Sequence, residues 1–305
     1  MMPALPYFQL SRLTTELHLS GFTAIHRVCG RRYVRGVVFL LLCRLCLDDW
    51  TDDGGLRVPG DLTRFSSVNR LAASLGYPFE TVRQSVRALE AQGVAVRTAN
   101  GIALAPDPEN AARVIDYYTV LHDVFIRLVE DIAATCPIDL GGAPPHRAAA
   151  AAVLGPALDV NLMPFDVQHR IDGDVTAMGL WLAIGAANIR HVTYDPALGS
   201  RNAFTPSPDA SRRPIPLRQV ARAVALPYAT AWRHASALEA AGLLSQRPDG
   251  WVVLTDHLQA PAVRDTVIRN VDYTMRRVGE VIRAGVDPRD PGAQYLSSRP
   301  PLVAF

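Results

Sequence analysis

The chain has 305 residues, of which 49% are hydrophobic and 20% are charged, and its net charge is +2. This length and composition predict about two folded domains rather than a disordered or fibrous chain. All 31 basic residues are arginine. The absence of lysine excludes chemistry that needs a lysine amine, such as Schiff-base catalysis or phosphate binding by a P-loop lysine.

Signals for export or membrane insertion are missing from the sequence. The N-terminus has no basic segment followed by an apolar run. The longest apolar stretch, 34–47, contains Arg35 and Arg44 and is shorter than the roughly 20 residues that span a bilayer. Four cysteines in a chain of 305 residues do not make a disulfide framework. We therefore expect a cytoplasmic protein with reduced thiols and no membrane partner.

An internal repeat organises the chain. Residues 66–106 align without a gap on residues 215–255 at a constant offset of 149, and nine of these 41 positions are identical. The identities cluster in the segment Ala-Leu-Glu-Ala-x-Gly, which ends at Gly93 in the first copy and at Gly242 in the second. Two copies at half the chain length indicate a tandem duplication, because a solenoid needs three or more units.

Each copy has the pattern of two short helices joined by a turn. Apolar residues recur at positions i, i+3, i+4 and i+7 over 68–75 and again over 217–224, which predicts an amphipathic helix. A turn that contains Pro78 or Pro227 follows. A second helix then ends at a glycine, the residue favoured just after a helix C-terminus.

A tight hairpin is predicted after each second helix. Asn100-Gly101 and Asp249-Gly250 lie between apolar arms, and both dipeptides accept the positive φ angles of two-residue hairpin turns. An upstream helix is available at 34–47 for the first copy and at 175–190 for the second. Together these elements form the core of a winged helix-turn-helix.

A longer helix follows each hairpin. Apolar side chains step by three and four residues over 114–132 in the first copy and over 267–282 in the second. We expect the first stripe, including its Tyr118–Phe125 face, to pack against the matching helix of the second copy or across a homodimer.

The predicted fold class is therefore mostly α with small β-hairpin wings (α+β). It consists of two tandem winged helix-turn-helix repeats, each followed by a long packing helix. The repeats are assigned to 1–135 and 158–285, with a Pro- and Gly-rich linker at 136–157 and a flexible C-terminal tail at 286–305.

A resemblance to a known class of proteins rests on the segment Leu75–Gly93, which reads LGYPFETVRQSVRALEAQG. It resembles the recognition-helix segment of bacterial winged helix-turn-helix transcriptional regulators, broadly of the MarR and GntR types. The second copy, Leu226–Gly242, is similar but weaker. The resemblance implies a helix that enters the DNA major groove and a wing that contacts the backbone or the minor groove.

The outward faces of the second helices supply the candidate DNA contacts. If Val82, Val86 and Leu89 face inward, polar side chains near the helix start face outward, and arginine can bind guanine and glutamine adenine. In the second copy Trp232 stands where the first copy has Arg83. The candidate DNA-binding residues are Phe79, Glu80, Thr81, Arg83, Gln84, Arg87 and Arg97 in the first copy, and Tyr228, Thr230, Trp232, Arg233 and Arg247 in the second.

Positive charge is concentrated in the two repeated segments. Residues 56–105 hold six arginines and three acidic residues, and residues 211–255 hold six arginines and two acidic residues. These segments carry +3 and +4, so the rest of a chain with net charge +2 carries −5. Such a distribution is typical of phosphate binding.

No spacing of residues predicts an enzyme, a metal site or a cofactor site. Cys43 and Cys46 have CxxC spacing without a second pair, which predicts core thiols rather than a metal or redox site. His122 and Asp123 are expected to form a packing and surface pair. The sequence contains no Gly-rich phosphate loop, nucleophile elbow or paired catalytic carboxylates. We therefore expect no enzymatic activity and no cofactor.

The sequence thus predicts a sequence-specific transcriptional regulator that binds double-stranded DNA, with a homodimer and a small-molecule effector left open. Two alternatives remain. Winged helices also serve in protein-interaction or chromosome-organisation adaptors, and plasmid- or phage-type replication initiators resemble tandem winged helices too. The near-neutral, lysine-free chain favours the regulator over the initiator.

Overall fold

The fold is mostly helical, as predicted, with small antiparallel hairpins. The computed structural model describes residues 5–53, 55–136, 138–142, 148–168 and 174–305, with 166–168 described by backbone only. The helices are α1 (Tyr7–Cys29), α2 (Tyr33–Cys46), α3 (Val68–Leu75), α4 (Phe79–Ala91), α5 (Pro108–Thr135), α6 (Ala150–Gln168), α7 (Val175–Thr193), α8 (Pro196–Arg201), α9 (Leu217–Ala223), α10 (Tyr228–Ala240), α11 (Thr255–Gln259) and α12 (Pro261–Arg283). The strands are β1 (Thr51–Asp52), β2 (Gly55–Leu56), β3 (Ala95–Thr98), β4 (Gly101–Leu104), β5 (Leu244–Arg247) and β6 (Gly250–Val253).

Two units repeat the same order of elements. The first unit is α2, α3, α4, the β3–β4 hairpin and α5, and the second unit is α7, α9, α10, the β5–β6 hairpin and α12. The two hairpins pair in the same register at the 149-residue offset. Ahead of α3, Ser66 bridges to Ile102, and ahead of α9, Ile215 bridges to Trp251 at the same offset. The sequence repeat is therefore also a repeat of backbone hydrogen bonds.

Local signals in the sequence explain where several helices begin and end. The Ser67 hydroxyl accepts the backbone N–H of Arg70 at the start of α3, and the Asp174 carboxylate accepts that of Thr176 at the start of α7. Gly93, after α4, has a φ of 70°, which lets the chain turn out of the helix and into the hairpin.

Two helices, α1 and α6, form the middle of the core and connect the units. Helix α1 packs against α5, α12 and α7, and α6 packs against α12, α5 and α2. The two sets of contacts correspond when each helix is replaced by its counterpart in the other half. The counterparts are α1 and α6, α2 and α7, and α5 and α12. The contact pattern is thus symmetric between the halves, and the helix before each unit also packs on the other unit.

The predicted linker is wrong at its C-terminal end. Residues 150–157 are the first turns of α6 rather than part of a linker. The reason is burial, because Val153, Leu154 and Ala157 are inaccessible to solvent. Residues 137 and 143–147 of the predicted linker lie outside the described part of the chain.

The predicted flexible tail at 286–305 is also wrong, because side chains of α5 bind its backbone. The Arg127 guanidinium donates hydrogen bonds to the carbonyl oxygens of Pro300 and Pro301, at 3.1 and 2.8 Å. The Asp123 carboxylate accepts the backbone N–H groups of Leu296 and Ser297 at 2.8 and 2.9 Å. These hydrogen bonds satisfy backbone N–H and carbonyl groups of an irregular segment, which has few hydrogen-bond partners within itself.

The apolar stripe of α5 is buried, but its principal partners differ from those expected. Tyr118 and Phe125 are fully buried, and α5 packs mainly on α1 and α6 rather than on its counterpart α12. His122 and Asp123 are not a surface pair either. Both are buried, with His122 Nδ1 2.9 Å from Asp123 Oδ1.

Cys43 and Cys46 are buried free thiols, as predicted. Within the described part of the chain, no helix combines the length and the apolar character needed to span a membrane.

Candidate nucleic-acid interface

Helix α4 buries one face and exposes the other. Val82, Val86 and Leu89 are completely buried, and α4 packs against α2 with this face. The inward side chains predicted from the sequence are therefore confirmed. The opposite face is turned to solvent, where Phe79 is 47% exposed and Arg87 is also exposed.

The Glu80 carboxylate accepts hydrogen bonds from Arg83 and Gln84, the two side chains of α4 that are chemically best suited to base recognition. The Arg83 guanidinium donates from Nε and Nη2 to the Glu80 carboxylate at 2.6 and 2.5 Å, and Gln84 Nε2 donates to it at 3.0 Å. The bonds from Arg83 and Gln84 lower the pKa of Glu80 to about 2. Any other acceptor that takes the same N–H groups would therefore have to displace Glu80.

The remaining candidates of the first unit surround this group. Thr81 is half-buried in the first turn of α4, close to the backbone N–H groups that attract anions at a helix N-terminus. Arg97 is exposed on β3 and forms an ion pair with Glu90 at 2.9 Å. Glu90 lies near the end of α4, so this pair joins the helix to the hairpin.

Both units expose an aromatic side chain at the start of the second helix, Phe79 or Tyr228, but the second unit adds Trp232 where the first has Arg83. Tyr228 and Trp232 on α10 are 46% and 42% exposed. Their ring centroids are 6.4 Å apart, and Trp232 also meets the buried Trp251 of β6 edge to face at 5.8 Å. The Arg218 guanidinium of α9 lies 5.6 Å from the Tyr228 ring centroid. An exposed aromatic surface flanked by a cation is suited to stacking and to van der Waals contact.

The other candidates of the second unit lie on α10 and on the hairpin. Arg233 is exposed, Thr230 is half-buried in the first turn of α10, and Arg247 is half-buried at the end of β5. Glu239, which aligns with Glu90, accepts the backbone N–H of Gln246 at 2.8 Å. In both units, therefore, a glutamate on the second helix binds the first strand of the hairpin.

Free positive charge is distributed unequally between the units. In the first repeated segment, 56–105, four arginines pair with acidic side chains: Arg57 with Asp52, Arg64 with Asp48, Arg83 with Glu80 and Arg97 with Glu90. In the second, the buried Arg212 lies 3.6 Å from Asp209. The arginines of these segments that form no ion pair with another described residue are Arg70, Arg87, Arg213, Arg218, Arg222, Arg233 and Arg247.

Two features of this interface were missed in the sequence. The spacing of Glu80 and Arg83 at i and i+3 is typical of an ion pair within a helix, and it indicated that Arg83 is engaged. Arg218 lies outside the second helix, and its contact with Tyr228 depends on how α9 packs on α10. No sequence spacing predicts that contact.

Comparisons of this chain with protein-family models, with curated proteins and with solved structures found no match.

Proposed function

We propose that this chain is a sequence-specific double-stranded-DNA-binding transcriptional regulator of the cytoplasm, and that its two units are tandem winged helices. Helices α4 and α10 would enter the major groove, while the two hairpins contact the backbone or the minor groove. The observation that carries the proposal is the repetition of one helix–turn–helix–hairpin unit in identical hairpin register. In both copies the second helix has a solvent-facing side.

The symmetric contacts of α1 and α6 suggest that one chain presents two recognition helices, as a dimer of single-unit proteins does. Regulators with helix-turn-helix units commonly bind as dimers, with one recognition helix for each half-site. Here one chain supplies two such helices, and α1 and α6 hold the units together. We infer that the chain binds without a second copy.

The two recognition helices differ, so the preferred DNA site should be asymmetric. The first unit offers Arg83 and Gln84, which can form bidentate contacts to guanine and adenine once released from Glu80. The second offers Tyr228 and Trp232, which cannot make such contacts, beside the unpaired Arg233. We expect one half-site with strong base preference and one in which phosphate and shape contacts dominate.

Selection of duplexes from a random library tests this function. The expected result is one enriched site with an asymmetric sequence, bound by a single chain, with an affinity that falls steeply as salt rises. A palindromic site bound by two chains would contradict the single-chain arrangement, and an array of repeated sites would favour the replication initiator. Failure to bind any duplex at low salt would rule out the proposal.

A protein-interaction adaptor is the second candidate, and the Tyr228–Trp232 surface favours it. Exposed aromatic residues are enriched at protein interfaces. If the chain is an adaptor, the double variant Tyr228→Ala/Trp232→Ala should abolish binding of the protein partner and leave DNA binding by the first unit intact. If the chain is a DNA-binding regulator that uses both units, the same variant should lose affinity for DNA.

A further inference from the structure

A cavity of about 530 Å³ lies between the second unit and α1. Side chains of α1, α7, α10 and α12 form most of its walls. This volume is within the range of about 300–1,000 Å³ that is typical of small-molecule sites. Much of the lining is apolar and includes Met178, Trp181, Leu182, Leu238, Val267 and Val271.

The two repeats differ in the side chains that their second helices bury, and the cavity adjoins α10. At the positions where α4 buries Val82 and Val86, α10 buries Ala231 and Ala235. Leu238 of α10 is half-buried and lines the cavity, whereas its counterpart on α4 is fully buried. The smaller side chains leave α10 with a thinner apolar contact on the core, and the cavity adjoins it.

One wall of the cavity contains a buried arginine that forms no ion pair with a described residue. Arg12 of α1 is only 8% exposed. Its Nη1 donates to the carbonyl oxygen of Asn202 at 2.9 Å, but Nε and Nη2 have no acceptor among the described residues. Burial and the charge of the nearby Arg212 lower the pKa of Arg12 to about 10, although the Cys136 thiol acts in the opposite direction.

Other charged groups around the cavity already have partners. Glu16 is bound by Arg190 at 2.7 and 2.8 Å, and Asp174 lies 3.2 Å from His234. Arg212, which also lines the cavity, lies 3.6 Å from Asp209. Arg12 is thus the charged group in this wall for which the described residues supply no counter-ion.

Neutral polar groups without partners lie in the same lining. The Trp181 indole N–H and the Ser207 hydroxyl form no hydrogen bond with described residues, and neither does Nδ1 of His18. The walls therefore combine an extended apolar surface with one cation and, just beneath that surface, a few unsatisfied polar groups. This combination suits an amphiphilic molecule whose polar end is an anion.

We propose that this cavity binds an organic carboxylate, whose charged end pairs with Arg12 and whose apolar body lies among the side chains of α7 and α12. The carboxylate would supply a counter-ion to a buried guanidinium that has one hydrogen bond and no acidic partner among the described residues, a costly arrangement in a protein interior. Binding would also fill the space beside α10. The site does not depend on whether the chain binds DNA.

Calorimetry with two carboxylates and their neutral amides tests the proposal. The probes are decanoate and naphthalene-2-carboxylate, each compared with its primary amide. At least one carboxylate should bind, about 10- to 100-fold more tightly than its amide, because the arginine then pairs with an anion instead of with a neutral acceptor. Failure of both carboxylates to bind, or equal binding of acid and amide, would overturn the proposal.

Variants locate the site. Arg12→Met keeps an apolar stem, removes the charge and should weaken carboxylate binding about 10- to 100-fold. Arg35→Met is the matched control, since Arg35 is also partly buried, donates to the carbonyl oxygen of Cys29 and has an unpaired Nε. It is not among the residues that line the cavity, and its removal should leave binding unchanged.

A second variant keeps the proposal testable if Arg12→Met fails to fold. Val267→Trp would fill part of the cavity from α12 while retaining Arg12, and it should abolish carboxylate binding. Unchanged binding in folded Val267→Trp, or in folded Arg12→Met, would place the carboxylate elsewhere. These outcomes are separable from the DNA result because calorimetry needs no duplex.

Discussion

Gly76 and Ala225 occupy equivalent positions, 149 residues apart, and both have a left-handed backbone, with φ angles of 63° and 53°. Each lies in the turn between the two short helices of its unit. Ala225 is the one non-glycine residue with a positive φ in the described part of the chain. A left-handed conformation costs an L-residue about 1 kcal/mol or more relative to glycine. The turn of the second unit is therefore strained where that of the first is relaxed.

Exchanging these two residues should change stability in opposite directions. Gly76→Ala should lower the free energy of unfolding by about 1 kcal/mol, because it introduces the strain that Ala225 carries. Ala225→Gly should raise it by a similar or smaller amount, since glycine also increases the entropy of the unfolded chain. Chemical denaturation measures both values.

Ala73→Gly is the control for this pair. Ala73 is an exposed helical residue of α3, so glycine there should destabilise the protein by about 1 kcal/mol. A loss of stability in Ala225→Gly equal to that in Ala73→Gly would show that the turn is not strained.

The sequence predicted the repeated units because their signals are local. The stripe over Val82, Val86 and Leu89 and the glycine at 93 act within a few residues, and the structure has those elements at the predicted positions. Helix α1 gave no such signal, because most of its residues are buried and these include polar side chains such as Glu16. The partner that allows Glu16 to be buried is Arg190, 174 residues away.

The C-terminal segment was mispredicted for the same reason. Its composition is that of a loop, but its order depends on Arg127 and Asp123 of α5, more than 170 residues earlier. The buried face of α4 could be predicted from the spacing of its apolar residues, whereas the contact of Arg218 with Tyr228 and the cavity beside α10 depend on how helices pack on one another. Sequence spacing carries little information about such packing.

Deleting residues 296–305 should destabilise the protein by about 3–5 kcal/mol. The deletion removes two carbonyl acceptors from the buried Arg127 and the backbone donors from the buried Asp123, which leaves both charges without much of their compensation. The free energy of unfolding in urea measures the loss. Adding Arg127→Met to the deletion should not recover it, because the buried Asp131 then lacks both Arg299, which lies in the deleted segment, and Arg127.

Phe305→Ala is the control for the deletion, since the Phe305 ring lies 4.5 Å from the half-buried Arg190 guanidinium. It should cost about 0.5–1 kcal/mol. If the deletion costs no more than this single substitution, the C-terminal segment does not support the core.

His18 should make the protein less stable in mild acid. Burial lowers the pKa of His18 to about 3, whereas in the unfolded chain it is near 6.5. Between these values the unfolded state binds a proton that the folded state does not. The free energy of unfolding should therefore be fully retained above about pH 6.5 and fall by about 1.4 kcal/mol per pH unit below it.

Urea denaturation of wild type and His18→Asn between pH 7 and pH 4.5 checks this expectation. The variant should show a shallower fall, by about one proton's slope. Burial and the charge of Arg31 lower the pKa of His26 to about 4. The contribution of His26 to the pH dependence of stability should therefore remain in the variant. Parallel curves for the two proteins would mean that His18 does not titrate differently on folding.

Arg83 and Arg97 should contribute to DNA binding in different ways. Arg83→Ala should cost about 1–3 kcal/mol on the selected site and relax the preference at one base pair. Arg97→Ala should weaken binding to selected and scrambled duplexes equally and reduce the salt slope by about one unit, because in the proposed function its target is a phosphate. Binding is measured on both duplexes over a series of salt concentrations. If both variants lose the same affinity for both duplexes, α4 does not contribute to base recognition.

Glu80 should restrain Arg83 and Gln84 until DNA replaces it. Glu80→Gln removes the carboxylate that binds both side chains, so it should tighten binding to duplex DNA in general and narrow the difference between selected and scrambled sites. The effect should not vary between pH 5 and 8, because the bonds from Arg83 and Gln84 keep the pKa of Glu80 at about 2.

A double-mutant cycle with Arg83→Ala separates this restraint from a direct contact. If Glu80 acts through Arg83, the gain from Glu80→Gln should shrink markedly when Arg83 is absent. Glu90→Gln is the matched control, since Glu90 holds Arg97 in the same manner, and it should alter the salt slope without changing base preference. If Glu80→Gln instead loses affinity for the selected site, with or without Arg83, the Glu80 carboxylate itself contacts a base, as an acceptor from cytosine N4 would.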